Sequence, residues 1–278
     1  MTNVGTNEER LVLYEPEGRI GYITFNRPEI LNALSGPALL QLDEALERGA
    51  ADSDVRVLVL RGSGRAFSAG ADFTGPGNAA AEVVQEDVAD DHVKLQASVD
   101  RYLRIWNHPK PVIAQVHGYC LGIATQICVV CDITIVAEDA RIGFPSIPVG
   151  GGYISPMWTW LVGPKRAKEM SFTVGSQIDG KTASEWGWAN RAVPADQLEE
   201  TVRQMAERIA NVPSKILRIK KLGVNRTMDV RGFSTAIRFG QEFDAMLHYT
   251  EPVKEMQQAM RERGMQGGID AFNAGEFS

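Results

Sequence analysis

Apolar residues along four segments of the chain follow patterns that are typical of β-strands. Residues 10–26 hold two β-rich runs around a Pro/Glu/Gly turn, which predicts a hairpin. Residues 55–62 form a short apolar run between polar ends, as a buried strand does, and 111–118 and 132–139 follow the same pattern. Because helical stretches separate strands, the connections are crossovers, which predicts stacked parallel sheets.

Other segments repeat their apolar residues at helical spacing. The helix predicted at 35–52 carries its leucines three or four residues apart on one face, and either Ser35 or Gly36 can cap it. Further helices are predicted from about Leu121 and at Pro156–Leu161. The chain from Lys165 onward is mostly helical, with amphipathic helices at 198–209, 215–228 and 233–247.

One stretch, residues 74–92, lacks these patterns and is rich in Gly, Pro, Ala and acidic residues. It fits a mobile loop or a loosely held helix over a site. A plain surface insertion explains the same composition equally well.

Composition favours an ordinary globular enzyme-sized protein. The chain has 278 residues, of which 44% are hydrophobic and 23% charged, so it can bury a full core. The net charge of −6 argues against a nucleic-acid partner. No apolar run of about 18 residues predicts a membrane span, and the polar N-terminus does not resemble a signal peptide, so we expect a cytoplasmic protein.

The three cysteines include a CxxC pair, Cys128 and Cys131, which suggests redox or zinc chemistry. However, the pair lies in an apolar run with no second CxxC and no nearby pair of histidines. Cysteine packs as a small hydrophobic residue in such places, so we expect core packing and no metal site.

Two segments could bind an anion through main-chain N–H groups. Residues 66–72, AFSAGAD, follow a predicted strand, and their small side chains allow a ligand to approach the backbone. Residues 117–127 also follow a strand and open a helix, where N–H groups are unpaired. Two such groups converging on one oxygen form an oxyanion hole.

Five segments together resemble the crotonase (enoyl-CoA hydratase/isomerase) superfamily, in family order. They are FNRPEILNALS at 25–35, RAFSAGAD at 65–72, KPVIAQVHGYCLG at 110–122, VCDITIVAEDARIGFP at 130–145 and GSQIDGKTASEWGWANRAVP at 175–194. The resemblance implies an α/β fold, a crotonase-like spiral of ββα units with stacked sheets over 1–199. It also implies a C-terminal helical oligomerisation region over 200–278, with homotrimers that often pair as hexamers.

By this resemblance the oxyanion N–H donors are those of Ala71 and Ile123. The family usually has glycine at the second position, so the isoleucine side chain must either point away from the thioester or narrow the site. The family also implies coenzyme A contacts, as part of the substrate and with no separate cofactor. These contacts fall on Glu29, Ile30, Leu31, Ala69, Ala71, Asp72 and Phe73. Relatives often carry lysine where Glu29 stands.

The catalytic positions depart from the family pattern. Hydratases of the family carry two glutamates that deprotonate water and protonate the α-carbon, and here those positions are Gln126 and Ser146. An amide is not a base, and a serine hydroxyl is not one without an activating neighbour. Since one positioned acid or base contributes about 10²–10⁴-fold, ordinary hydration should be weak.

Other side chains are candidates for the missing acid or base. Tyr153 lies in the Gly-rich stretch after Ser146, and Asp72 directly follows an oxyanion donor. Some relatives recruit a tyrosine from the C-terminal helices, which makes Tyr249 and His248 candidates as well. Two tryptophans, Trp158 and Trp160, either narrow the acyl pocket or simply pack a helix.

The sequence therefore predicts an acyl-CoA enzyme of the enoyl-CoA hydratase/isomerase family that stabilises a thioester enolate. Because both glutamates are replaced, its reaction need not be hydration, and isomerisation, hydrolysis and carbon–carbon cleavage use the same oxyanion hole. The alternative is a non-catalytic acyl-CoA-binding or scaffold protein that has lost its acid–base pair.

Overall fold

A computed structural model describes residues 10–73, 87–144, 149–151, 154–173 and 175–277, apart from the side chains of Ile154 and Ser155. Its strands, in chain order, are β1 (Val12–Glu17), β2 (Ile20–Phe25), β3 (Val57–Gly62), β4 (Val112–Val116), β5 (Tyr119–Leu121), β6 (Ile133–Ala137), β7 (Arg141–Gly143), β8 (Gln177–Asp179) and β9 (Arg191–Val193).

The larger sheet has the strand order β1-β2-β3-β4-β6-β9. Strands β1 and β2 form the predicted antiparallel hairpin, and every later pairing in this sheet is parallel. Every residue of β2 and β4 is buried, which explains why these strands have apolar runs rather than alternating patterns. The predicted α/β fold with stacked sheets is confirmed.

A second, smaller sheet has the order β5-β7-β8. Strands β5 and β7 run parallel, whereas β7 and β8 are antiparallel. Each of these strands has only three residues, too few to show a hydrophobic period, and the sequence analysis did not predict them. Strand β5 leads directly into the helix that carries Ile123.

Helices pack against these sheets and form the C-terminal part. They are α1 (Gly36–Ala51), α2 (Val88–Trp106), α3 (Ile123–Val130), α4 (Ile154–Phe172), α5 (Gly180–Trp186), α6 (Leu198–Ala210), α7 (Ser214–Val230), α8 (Phe233–His248) and α9 (Glu251–Asn273). The Ser35 hydroxyl accepts a hydrogen bond from the Ala38 N–H, so Ser35 rather than Gly36 caps α1.

Three helix predictions need correction. The last residues of the stretch predicted as a loop or loose helix, 88–92, belong to the regular helix α2, whereas 74–86 lie outside the described residues. Helix α4 continues well past Leu161, across a kink at Gly163 where the backbone is non-helical. Helix α3 begins at Ile123, because β5 occupies the residues before it.

The amphipathic helices of the C-terminal part agree with their sequence periods. On α6, Leu198 and Val202 are buried, as their spacing predicts. Helices α7 and α8 correspond to the two later predictions within a few residues at each end. Within the described part of the chain, no helix is both long and apolar enough to span a membrane.

The CxxC pair packs in the core. Cys128, Cys131 and the third cysteine, Cys120, are all buried, and the sulfur atoms of Cys120 and Cys128 are 3.8 Å apart. Burial raises the pKa of the Cys128 and Cys131 thiols well above the ordinary value, so both stay protonated. The packing interpretation of the pair is therefore the one that the structure favours.

Candidate active site

The two predicted oxyanion segments, residues 67–72 and 119–123, lie side by side. Ser68 donates its N–H to the Tyr119 carbonyl at 2.9 Å, and its own carbonyl accepts from the Leu121 N–H at 3.1 Å. Gly70 makes this approach possible, because a Cβ there would lie 2.6 Å from the Leu121 carbonyl oxygen.

Both predicted donor N–H groups are unpaired for local reasons. Ala71 forms a parallel bridge with Leu34, in which Leu34 bonds to the residues before and after Ala71 and leaves the Ala71 N–H turned away. Ile123 is the first residue of α3, where an N–H has no helical acceptor. Among the described residues, neither N–H finds a hydrogen-bond acceptor.

The Ile123 side chain is in contact with the core of the protein. It is partly buried and packs against the hydrophobic core. Gly122, before it, has φ 53° and ψ −124° and donates its N–H to the Gly143 carbonyl at 2.9 Å. The start of α3 is thereby tied to the smaller sheet.

Asn32 connects the loops around the first oxyanion segment. It adopts a left-handed backbone with φ 56°, which asparagine tolerates, and is only 1% exposed. Its side-chain NH₂ group donates to the Ser63 and Ala66 carbonyls at 2.8 and 2.7 Å. Its own carbonyl accepts from the Ser68 hydroxyl at 2.8 Å, and that hydroxyl accepts from the Gly70 N–H.

The sequence analysis quoted Asn32 within a family segment but gave it no role. Its partners are more than 30 residues away, so the local pattern could not reveal them. The available signal is weak: an asparagine in a turn after a strand is a common choice for left-handed backbone.

Asp72 is a structural ion-pair partner in this arrangement. Its carboxylate is buried and lies 2.7 Å from the Arg27 guanidinium, which also donates to the Ala33 carbonyl at 2.8 Å. The pair holds the turn of Arg27 against the strand end that carries Ala71. A carboxylate engaged in this way is less available as a base, although its role in the reaction stays a prediction.

The two segments predicted to contact coenzyme A adjoin each other. Ala69 donates its N–H to the Leu31 carbonyl at 2.8 Å, and Leu31 has the left-handed φ of 55°. Glu29 is exposed in a short 3₁₀ turn over Pro28–Ile30, and Phe73 is half-buried. The arrangement forms one continuous patch of backbone next to the Ala71 N–H.

Gln126 is buried one turn into α3, at 3% exposure. The Tyr102 hydroxyl of α2 donates to its side-chain oxygen, and burial raises the pKa of Tyr102, so this phenol stays a donor. Because the amide oxygen is engaged, the amide NH₂ group is the part of Gln126 that can donate to a ligand.

The two tryptophans follow the packing alternative rather than the pocket alternative. Trp158 is entirely buried and packs between Phe144 and Trp188, with ring centroids 5.3 and 5.4 Å away. Its indole N–H donates to the Thr125 hydroxyl at 3.2 Å. Trp160 packs edge-on against Phe233. The expectation of an acyl pocket narrowed by these rings gains no support.

The remaining candidates divide into described and undescribed residues. Ser146 and Tyr153 lie outside the described residues. His248, at the end of α8, has its Nδ1 atom 2.7 Å from the Asp91 carboxylate of α2. Within the described part of the chain no three His, Cys, Asp or Glu side chains form a cluster suited to a metal.

Comparison with known proteins identifies the family of this chain. A protein-family model described as enoyl-CoA hydratase/isomerase matches residues 15–267. The chain belongs to the enoyl-CoA hydratase/isomerase family. It is an enzyme of that family, and the crotonase resemblance of the sequence is confirmed.

Three relatives of this family show how far the similarity extends. A protein of Rhizobium meliloti (strain 1021), named a probable enoyl-CoA hydratase, is 34% identical over 88% of this chain and 92% of its own. A solved structure from Novosphingobium aromaticivorans DSM 12444 has 39% identity, with a TM-score of 0.87 and 94% of both chains covered. The crystal structure of an enoyl-CoA hydratase/isomerase from Xanthobacter autotrophicus Py2 has 31% identity and a TM-score of 0.87, covering 96% of this chain and 98% of the other.

Proposed function

We propose that this family member binds acyl-CoA thioesters and stabilises their enolate anions through the main-chain N–H groups of Ala71 and Ile123. One observation carries the proposal: both N–H groups lack an acceptor among the described residues, on segments that hydrogen-bond to each other. Unpaired N–H groups held in place by the fold stabilise developing negative charge without reorganisation.

The coenzyme A portion would lie along the patch formed by Glu29–Leu31 and Ala69–Phe73, with no separate cofactor. Small residues at 69–71 leave the backbone of this patch accessible to a ligand. The exposed Glu29 carboxylate disfavours a phosphate group close to it, because like charges repel. The cytoplasmic location expected from the N-terminal sequence remains a prediction.

The reaction we propose is proton transfer at the α-carbon rather than hydration by a pair of glutamates. Gln126 supplies a hydrogen-bond donor in place of one carboxylate. An amide can orient a substrate oxygen or a water molecule, but it cannot accept a proton at neutral pH. Isomerisation, hydrolysis and carbon–carbon cleavage can all begin from an enolate held in this way.

The experiment that tests the proposal measures binding and turnover together. The protein is incubated with a panel of enoyl-, 3-hydroxy- and 3-oxoacyl-CoAs, and mass spectrometry follows both complex formation and product mass. We expect binding of at least one thioester and conversion of a thioester other than crotonyl-CoA.

Each alternative outcome has a definite meaning. Crotonyl-CoA hydration at an ordinary enzyme rate would show that another residue replaces the glutamates and would contradict the mechanistic part of the proposal. Binding without turnover of any thioester would support the non-catalytic acyl-CoA-binding alternative. A protein that binds no thioester would contradict the assignment of coenzyme A.

We also propose that the chain assembles as a homotrimer or a dimer of trimers through its C-terminal helical region. Helix α8 exposes several large apolar side chains, namely Phe239, Phe243, Met246 and Leu247. Isolated chains seldom leave such a set in water. Light scattering after size-exclusion chromatography should give a trimer or hexamer mass for the wild type and a lower mass for F243E; an unchanged mass for F243E would contradict this interface.

A further inference from the structure

A histidine–aspartate pair joins two helices that are far apart in the sequence. His248 of α8 and Asp91 of α2 are 157 residues apart, yet Nδ1 of His248 lies 2.7 Å from the Asp91 carboxylate. Both side chains are buried, at 9% and 5% exposure. A carboxylate only accepts, so Nδ1 is the protonated donor, which leaves Nε2 as the nitrogen that can exchange a proton.

The free nitrogen faces the Gly-rich stretch that follows Ser146 in the sequence. A Cβ at Gly150 would lie 2.9 Å from Nε2 of His248, so glycine is what allows the imidazole to approach the backbone. Among the described residues Nε2 has no hydrogen-bond partner, because its nearest acidic neighbour, Asp244, is 3.9 Å away. The Asp244 carboxylate instead accepts from the Gly151 N–H at 2.8 Å.

A second polar group near this pair lacks a partner. The Tyr249 hydroxyl is buried and has no hydrogen-bond partner within the described part of the chain. Desolvation and then the charges of Asp91, Asp87 and Asp90 raise the pKa of Tyr249. Since buried hydroxyls are normally paired, the space around His248 contains more hydrogen-bonding capacity than the described residues use.

This cluster is continuous with Gln126. Burial raises the pKa of Tyr102. The charge of Arg101 lowers this pKa and the charge of Asp244 raises it, so Asp244 lies within electrostatic reach of the Tyr102 phenol. The same Tyr102 hydroxyl donates to the Gln126 side chain. Polar side chains of α2 thus bind both Gln126 of α3 and His248 of α8.

We infer that His248 transfers the α-proton of the bound thioester and that Asp91 is its positioning residue. The inference rests on the proposed function. Neutral Nε2 accepts the proton as the α-C–H bond breaks, and the electron pair of that bond forms the enolate double bond. The resulting charge on the thioester oxygen is stabilised by the Ala71 and Ile123 N–H groups, and the imidazolium by Asp91. Return of the proton from Nε2 to carbon regenerates the neutral imidazole.

The test is α-proton exchange with solvent, which needs no knowledge of the natural reaction. The protein is incubated with butyryl-CoA in D₂O, and mass spectrometry measures deuterium incorporation at the α-carbon. In parallel, the dissociation constant for butyryl-CoA is measured for every variant. We expect the wild type to bind butyryl-CoA and to incorporate deuterium.

Two substitutions separate chemistry from structure. In H248N the side-chain amide can still donate to Asp91 but cannot accept a proton at the position of Nε2. We expect its exchange rate to fall about 10²–10⁴-fold while the dissociation constant stays within about threefold. D91N keeps the imidazole and loses the charge that stabilises its protonated form, so its rate should fall to a value between those of H248N and the wild type, again with unchanged binding.

A matched control is available in the neighbouring histidine of α2. H92N removes an imidazole whose Nδ1 lies 3.5 Å from the Gln241 amide, and it should exchange at the wild-type rate. Thermal melting checks that each variant is folded. If H248N is not folded, the comparison of D91N with the wild type tests the inference.

The outcomes distinguish this inference from the proposed function. If H248N and D91N bind butyryl-CoA and exchange at the wild-type rate, the role of His248 is wrong and the proposed function stands. If the wild type binds butyryl-CoA without exchange, the inference is again wrong, whereas acyl-CoA binding is retained. If the wild type binds neither butyryl-CoA nor any thioester of the panel, the proposed function and the inference both fail.

Discussion

The oxyanion segments and the side of the site around Gln126 and His248 differ in which atoms would face a substrate. The oxyanion segments present main-chain N–H groups, and side chains such as Asn32 only hold those groups in place. The other side presents side chains, the Gln126 amide and the His248 imidazole, with Tyr102 and Asp91 behind them.

This difference explains why one part of the site keeps the family pattern while the other departs from it. A main-chain N–H survives the change from glycine to Ile123, provided that the side chain packs elsewhere, as it does here. A side-chain base, by contrast, is lost when the residue is a glutamine, as at Gln126, because an amide does not accept a proton at neutral pH. Under the proposed function, binding of the thioester oxygen would depend on main-chain groups, whereas the choice of reaction would depend on side chains.

The strongest test of the oxyanion segments removes one main-chain N–H group and keeps the helix that carries it. Proline is tolerated at the first position of a helix, so I123P should leave α3 folded while deleting the Ile123 donor. We expect the α-proton exchange rate with butyryl-CoA to fall about 10²–10³-fold, as for the loss of one oxyanion donor.

The matched control for this change is I123A, which trims the side chain and keeps the N–H. Its exchange rate should remain close to that of the wild type, although the lost packing will lower its melting temperature. Equal losses of rate in I123P and I123A would mean that the side chain, not the N–H, is what matters at this position.

A smaller effect, on stability, is expected from the residue that supports the first oxyanion segment. N32D keeps the acceptor oxygen and the tolerance for left-handed backbone, but it loses both donors to the Ser63 and Ala66 carbonyls. Leaving two buried carbonyls unpaired should lower the free energy of unfolding by about 3 kcal/mol, measured by urea denaturation.

Asn26 provides the comparison for that substitution. Its side-chain amide donates to the Arg10 carbonyl at 3.0 Å, but at an exposed position where water can replace it. N26D should therefore change the free energy of unfolding by less than about 0.5 kcal/mol. If N32D is as stable as N26D, the bonds of Asn32 do not support the loop as described.

The smallest effect on the exchange rate should come from a change on the side of the site around Gln126 and His248. Y102F removes the hydroxyl that donates to the Gln126 oxygen, so the amide loses its fixed orientation. We expect an exchange rate lower by up to about tenfold, which corresponds to one neutral hydrogen bond of about 1 kcal/mol. The control is Y14F, which removes a hydroxyl that donates to Asp52 on another face and should leave the rate unchanged. Equal rates for Y102F and the wild type would mean that Tyr102 has no role in the site.

Sequence reasoning was most successful for elements that a pattern of a few neighbouring residues identifies. The hairpin of β1 and β2, the capped helix α1 and the amphipathic helix α6 each have a period or a cap within a few residues, and all three were predicted. Helix α2 was not predicted beyond residue 92, and its first residues fell in the stretch interpreted as a loop or a loosely held helix, because they are acidic and the buried face, with Val99, Tyr102 and Ile105, begins late.

The candidate site was predictable only in part for a similar reason. The two segments with unpaired N–H groups follow from local patterns, but Ala71 and Ile123 were singled out by the family resemblance, and their roles stay predictions. The pairing of His248 with Asp91 depends on how α2 and α8 pack, which no short motif encodes. His248 was considered for its position in the C-terminal helices, whereas Asp91 was not considered at all.

Helix α2 contributes to two distant points of the site at once. Asp91 near its start binds His248, and Tyr102, about three turns further along, binds Gln126. A helix of this length moves nearly as a rigid rod, so a small tilt at its N-terminal end displaces both partners together. Any ligand or substitution that shifts the beginning of α2 would be transmitted mechanically to the amide at the oxyanion end, although no atom there has been altered.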